Sequence, residues 1–161
     1  MTEPVPISAI KLKRAQRASA DPSAASARAM EKGATSRAAV VAAARDERPP
    51  LELARRIVEL AEDKKAADIV LLGVAELTTL ADYFVICSGW SERQLQAIAD
   101  GILEELRPDG IRPIGREGDP ASHWILVDFG SVIVHVFTPP ERDFYQLEKH
   151  WSEAKTILRV Q

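Results

Sequence analysis

The stretch from Ser122 to Trp151 reads S-H-W-I-L-V-D-F-G-S-V-I-V-H-V-F-T-P-P-E-R-D-F-Y-Q-L-E-K-H-W. Two apolar runs, Trp124–Phe129 and Val132–Phe137, flank Gly130-Ser131. Glycine tolerates the positive φ of a tight turn, so the pattern predicts an antiparallel hairpin. A two-residue turn sets the register: Phe129 faces Val132, Val127 faces Val134 and Ile125 faces Val136. Those six residues form one wholly apolar face, which belongs in a core. The opposite face carries Trp124, Leu126 and Asp128 against Phe137, His135 and Ile133, and is mixed. A helix follows. Thr138 suits the N-cap, Pro139 the first helical position, and Glu141 completes a capping box with Thr138. Phe144, Leu147 and Trp151 share a stripe at helical spacing, while Arg142, Tyr145, Glu148 and Lys149 point elsewhere.

Working outward, Ile111–Arg116 reads as a strand that Pro113 confines to an edge. Ser91 and Gln94 form a capping box that opens a helix to Leu106, with Leu95, Ile98, Ala99, Ile102 and Leu106 on its inner face. Ile69–Val74 and Tyr83–Ser88 are short, continuously apolar runs, as expected of strands buried on both faces. Leu51–Asp63 carries a helical stripe of Leu53, Ile57, Leu60 and Ala61. Residues 152–161 read as a C-terminal tail, or frayed helix. The order is helix, strand, strand, helix, three strands, helix. It predicts an α/β (mixed α+β) domain over residues 49–151, a mixed five-stranded sheet with helices packed on it. The middle strand–helix–strand unit should be a crossover with parallel strands, and the last three strands a meander.

Residues 1–48 are rich in Ala, Ser and Arg, with few aliphatic anchors and no aromatics. Such a segment buries too little apolar surface to offset chain entropy, which predicts a disordered tail. Of the chain's 21 Lys/Arg and 24 Asp/Glu, residues 1–50 hold nine and five, so a segment near +4 precedes a domain near −7. An acidic domain repels phosphate backbones and attracts basic partners, which argues against direct, nonspecific nucleic-acid binding, and no direct sequence-specific nucleic-acid binding is expected either. No apolar run reaches the roughly 20 residues of a membrane span, and the N-terminus has no signal-peptide pattern. The cytoplasm is the expected location. A basic, Ser- and Arg-bearing tail is also compatible with an organelle transit peptide, a reading that its five acids weaken.

Catalytic patterns are weak. Asp128-Phe129-Gly130 matches a kinase triplet but has no glycine-rich loop or His-Arg-Asp beside it. His123, His135 and His150 lack zinc spacing. Two-metal phosphoryl chemistry needs gathered carboxylates, and Asp68, Asp82 and Asp128 each stand alone on their strands. Ser88, Ser91 and Ser131 have turn or capping explanations. The single cysteine, Cys87, excludes an internal disulfide and reads as a buried small residue rather than a nucleophile. No catalytic residue, metal or cofactor is expected. The remaining anomaly is the grouping of Trp124, Asp128 and Tyr145. It reads either as edge-of-core aromatics with a solvated acid or as a protein interface, since Trp and Tyr anchor binding hot spots.

Three segments resemble the ribosomal silencing factor family, also called Iojap-like. The first is Asp82-Tyr83-Phe84-Val85-Ile86-Cys87-Ser88-Gly89 with Ser91-x-Arg93-Gln94 and Ala97-Ile98-Ala99-Asp100. The second is Trp124-x-x-x-Asp128-Phe129-Gly130-x-Val132-Ile133-Val134-His135-Val136-Phe137. The third is Arg142-x-Phe144-Tyr145-x-Leu147-Glu148-x-x-Trp151. The likeness covers about Leu51 to Trp151. It implies a nucleotidyltransferase-like fold without catalytic acids and binding to ribosomal protein uL14 of the large subunit. It further implies steric exclusion of the small subunit, translation repression under nutrient limitation, and a possible homodimer. The candidate partner-binding residues are Trp124, Asp128, His135 and Tyr145, with Arg142 and Glu148 beside them. The alternative reading is a degenerate nucleotidyltransferase-class enzyme.

Overall fold

A computed structural model describes residues 49–161. The expected tail, residues 1–48, lies outside the described residues. Pro50–Asp63 forms α1, followed by β1 (Ala67–Gly73), β2 (Tyr83–Ser88) and α2 (Glu92–Leu106). Then come β3 (Gly115–Glu117), β4 (Trp124–Asp128), β5 (Val132–Phe137), α3 (Pro139–Tyr145), α4 (Leu147–His150) and β6 (Lys155–Val160). The six strands form one mixed sheet in the order β3-β4-β5-β2-β1-β6.

The hairpin has the expected register. Ile125 pairs with Val136, Val127 with Val134, and Leu126 with His135. Gly130 turns at φ 91°, and Phe129 N–H donates to the Val132 carbonyl at 2.9 Å. The meander β3-β4-β5 is antiparallel throughout. β2 and β3 run in the same direction, as the crossover reading requires, but the parallel neighbour of β2 is β5. The later hairpin separates β3 from β2 and pushes β3 to the edge. Pro113 delays β3, which spans only Gly115–Glu117.

Ile125, Val127, Phe129, Val132, Val134 and Val136 all enter one core, with α1 and α2 over it. Helix α1 contributes Leu53, Ala54, Ile57, Val58, Leu60 and Ala61. Helix α2 contributes Leu95, Ile98, Ala99, Ile102 and Leu106. At the start of α2, Ser91 Oγ accepts from Gln94 N–H at 3.1 Å. The Gln94 side chain does not return to the N-cap N–H of Ser91. Its Oε1 accepts from Trp90 N–H at 2.7 Å, and its Nε2 donates to the Lys65 carbonyl at 2.9 Å.

The sheet has a sixth strand where the sequence reading placed a tail. β6 pairs antiparallel with β1, from Ile69↔Val160 to Gly73↔Lys155. Only Ile157 and Val160 pack toward the first core. Leu158 pairs with Leu71 yet keeps 38% of its surface exposed, so the strand lacks the continuous apolar run that marks a buried one. The helix after the hairpin also differs from the reading. Thr138 is the N-cap, but its hydroxyl makes no capping bond. Pro139 and Pro140 remove two first-turn N–H groups, and Pro140 stands at one of the two positions that a cap serves.

Candidate functional site

The second face of the sheet is where the sequence placed a mixed surface. It is a second core, built from Val70, Leu72, Phe84, Ile86, Trp124, Leu126, Ile133 and Phe137 and closed by Leu147 and Trp151. Trp124 is 1% exposed and His135 is fully buried. Trp124 stacks on Phe137 at 4.6 Å and meets Tyr145 at 4.7 Å. Its Nε1–H donates to His135 Nδ1 at 3.3 Å. An accepting Nδ1 leaves the imidazole proton on Nε2. Burial pushes the His135 pKa down to about 3, so the ring is neutral at physiological pH. Phe84 meets His135 and Trp151 edge to face, at 5.3 and 5.1 Å. Neither Trp124 nor His135 can therefore touch a partner on this surface. They form the floor beneath α3. The indole–imidazole hydrogen bond satisfies Trp124 Nε1–H and His135 Nδ1 internally and leaves His135 Nε2 buried without a hydrogen-bond partner.

Above that floor the helix is broken. Gln146 adopts φ 45° and separates α3 from α4. The break rotates the stripe expected of Phe144, Leu147 and Trp151. Leu147 and Trp151 are buried, at 2% and 5%, whereas Phe144 is 75% exposed. Tyr145 turns inward to the aromatic core and supports Phe144 edge to face at 5.0 Å. Sequence spacing assigned these two neighbours the opposite roles, because a 3.6-residue period holds only while the helix is continuous.

Arg142 is the anchor of the broken segment. Its Nη1 donates to the Asp68 carbonyl at 2.7 Å and to Ser88 Oγ at 2.8 Å, and its Nη2 to Glu148 Oε1 at 2.5 Å. It thereby ties α3 and α4 to the ends of β1 and β2. With 10% of its side chain exposed, it is spent on internal partners. Arg142 and Glu148, both expected to meet a partner protein, answer each other. They line a polar cleft of about 500 Å³ with Asp68, Asp143, Lys149 and Arg159. Asp128 lies at the hairpin turn, where Oδ1 accepts from Gly130 N–H at 2.8 Å. Of the six candidates, Trp124, His135 and Tyr145 come together inside the second core, Arg142 and Glu148 pair beside it, and Asp128 sits at the far end of β4.

Cys87 is fully buried and its thiol is pushed up to about 12 by that burial, against the opposing pull of Arg142, so it is no nucleophile at neutral pH. Among the described residues no group of three or more His, Cys, Asp or Glu is placed to hold a metal ion, and no helix is long and apolar enough to cross a membrane. The sequence reading missed Phe144 and also Trp90, 73% exposed at the corner before α2. A signal existed for Trp90. It stands between Gly89 and the capping Ser91, on no strand or helix face that could bury it.

A family described as "Ribosomal silencing factor during starvation" matches residues 46–161. The chain is 42% identical over 106 residues to the ribosomal silencing factor RsfS of Halalkalibacterium halodurans, covering 66% of this chain and 91% of that protein. It is 32% identical over 112 residues to the chloroplastic protein Iojap of Arabidopsis thaliana, covering 70% of this chain and 47% of that one. A crystal structure of a Chromobacterium violaceum protein superposes with a TM-score of 0.63 at 35% identity, covering 65% of this chain and 88% of that one.

Proposed function

The chain belongs to the ribosomal silencing factor family, and from that premise we propose that it binds ribosomal protein uL14 on the large subunit and keeps the small subunit from joining. It acts by occupying space, performs no reaction, and represses translation when nutrients are short. The observation that carries the docking surface is Phe144. Its ring is 75% exposed, and aromatic side chains are enriched where interfaces are buried. It is held edge-on by Tyr145 over a rigid aromatic floor, so little side-chain freedom is lost on binding. Glu141 and Asp143 flank it on α3. An aromatic anchor rimmed by acids suits a basic ribosomal protein. In this reading Tyr145 contributes its exposed edge, Trp124 and His135 support it from below, and Arg142 with Glu148 fixes the angle of α3. Asp128 holds the hairpin that carries the floor.

Pelleting with purified large subunits tests the surface. Phe144→Ala is expected to weaken association by more than about tenfold, and sucrose gradients with added wild-type protein are expected to show free subunits in place of joined ribosomes. Unchanged joining at saturating protein would overturn the silencing role. Wild-type pelleting by the Phe144→Ala, Tyr145→Ala double variant would move the interface away from α3. The site of action is a cytoplasmic ribosome. An organelle ribosome is the alternative, as in the plant relative whose name places it in chloroplasts.

A further inference from the structure

We infer that residues 138–151 form an arm that seats on the sheet as one piece, and that Asp68 and Ser88 are positioning residues that latch it there through Arg142. The inference rests on the reading of Phe144 as the docking anchor. It adds that a partner meets Phe144 in its binding geometry only while the latch is closed.

The arm is braced across its own break. In a continuous helix, residues six apart lie about 120° apart around the axis and about 9 Å apart along it, so their side chains occupy different faces. Arg142 and Glu148 are six apart, yet Arg142 Nη2 donates to Glu148 Oε1 at 2.5 Å. Gln146, at φ 45°, turns the chain between them and lets α4 bring Glu148 back. The pair therefore locks the two short helices together, with Phe144 and Tyr145 between the bracing residues.

The socket is built into the sheet. β1 carries a bulge: Ala67 pairs with Ser88 and Val70 with Ile86, so Asp68 and Ile69 together stand against Cys87. Asp68 has a register partner on neither β2 nor β6, where pairing begins at Ile69. Its φ is 46°, the left-handed position that glycine usually fills in such a bulge. Bulges gather beside functional sites because they re-aim a group. Here the re-aimed group is the backbone carbonyl, and Asp68 C=O accepts from Arg142 Nη1 at 2.7 Å. Ser88 Oγ, at the end of β2 and 3% exposed, accepts from the same Nη1 at 2.8 Å. With Glu148, three acceptors surround one guanidinium.

The arm needs that latch. Its helices have seven and four residues, far below the length at which an isolated helix is stable in water. The seated arm buries Thr138 Oγ1 at its start, Trp151 Nε1 at its end and His135 Nε2 beneath it, none of them with a hydrogen-bond partner. Unseating returns those groups to water, which opposes the burial of Leu147 and Trp151 and leaves the Arg142 bonds to tip the balance. Segments that move on binding are drawn from such weakly held elements. Measured affinity then scales with the fraction of chains whose arm is seated.

Fluorescence and pelleting together test the latch on the full chain. Trp124 and Trp151, 1% and 5% exposed, lie under and within the arm, whereas Trp90 is 73% exposed. In a Trp90→Phe background, acrylamide quenching therefore reads the arm. Arg142→Gln should raise the quenching constant about threefold and weaken pelleting with purified large subunits about tenfold. Arg142→Lys keeps the charge but loses the fork, and should fall between the two. Ser88→Ala, a small change, should move both readings the same way by about twofold. Asp68→Val should loosen the arm too, because a β-branched residue is strained at positive φ and would flatten the bulge that aims the carbonyl. Asp68→Gly should match the wild type, since the socket uses the backbone. Added to Phe144→Ala, Arg142→Gln should weaken pelleting by less than about twofold more, because both act through one ring.

A merely structural arginine would show no such coupling to Phe144. Unchanged quenching in Arg142→Gln overturns the latch, as does wild-type quenching in Asp68→Val. Raised quenching with wild-type pelleting overturns the positioning role. A full tenfold loss on top of Phe144→Ala does so as well, since Arg142 would then act on the partner by itself. If Arg142→Gln fails to fold, Ser88→Ala and Asp68→Val decide by the same two readings. Wild-type pelleting by Phe144→Ala would instead remove the docking reading, and the quenching series would still decide whether the socket holds the arm.

Discussion

The two faces of the sheet are covered in different ways. Helices α1 and α2, of 14 and 15 residues, lie on the first face. Segments α3 and α4, of seven and four residues with a left-handed break between them, lie on the second. The first core is almost wholly aliphatic. The second gathers Phe84, Trp124, Phe137 and Trp151 around a neutral histidine. His135 Nε2 and Trp151 Nε1, both on that second side, are buried without a hydrogen-bond partner. Aliphatic side chains on long helices interlock closely and carry no polar penalty. Large flat rings under short helices leave polar atoms unmatched and depend on the Arg142 anchor. The contrast gives the first face the larger share of stability and, under the proposed function, leaves recognition to the second, where Phe144 is presented from a segment too short to be stable alone.

The contrast breaks first if the aliphatic core proves tolerant. Ile98→Ala, at a fully buried site on α2, should cost about 2–5 kcal/mol. Val134→Ala, on the same face of the hairpin, should cost roughly 1–3 kcal/mol. Urea unfolding with an unchanged m-value measures both. A Val134→Ala protein as stable as its parent would contradict the hairpin register.

A sharper test uses pH. The folded pKa of His135 is about 3, held below the ordinary 6.5 by burial. Between those values the unfolded chain takes up a proton that the folded chain refuses. Stability from this group is therefore complete above about pH 6.5 and is lost as pH falls toward 3. The slope is roughly 1.4 kcal/mol per pH unit. His135→Leu should flatten the slope between pH 6 and pH 4, at the expense of the Trp124 indole's hydrogen bond at every pH. Equal slopes in the two proteins would show that the ring is not desolvated.

Next comes binding at constant stability. Phe144→Ala should lose more than about 1.4 kcal/mol of large-subunit affinity, the equivalent of tenfold. Its unfolding free energy should move by less than about 0.5 kcal/mol, the usual range for surface positions. A stability loss as large as the binding loss would place Phe144 in the core and erase the distinction between the faces. The smallest expected effect concerns the N-terminal segment. Removal of residues 1–48 should leave unfolding and subunit pelleting nearly unchanged, since that segment offers few apolar anchors. A tenfold loss of pelleting would bring its charges into the interface.

Local rules made the hairpin legible. Gly130-Ser131 between two alternating runs allows one pairing, and a slip by one residue would turn six apolar side chains to the wrong side. The stripes of α1 and α2 were equally readable, because each helix is long enough for its period to repeat. Family membership was legible in the dense matches from Asp82 to Trp151. The sequence by itself therefore determined the strand–helix order from Pro50 through the hairpin, the aliphatic core and the family. Tertiary structure decided three other things. It paired β6 with β1, a long-range backbone contact that its exposed side chains do not announce. It covered the mixed hairpin face, turning Trp124 and His135 from surface candidates into a buried hydrogen-bonded pair. It also broke the last helix at Gln146, which exchanged the places of Phe144 and Tyr145. The physical reason is the same in each case. Period and turn chemistry act within a few residues, whereas burial is set by whatever element the chain later lays across a face.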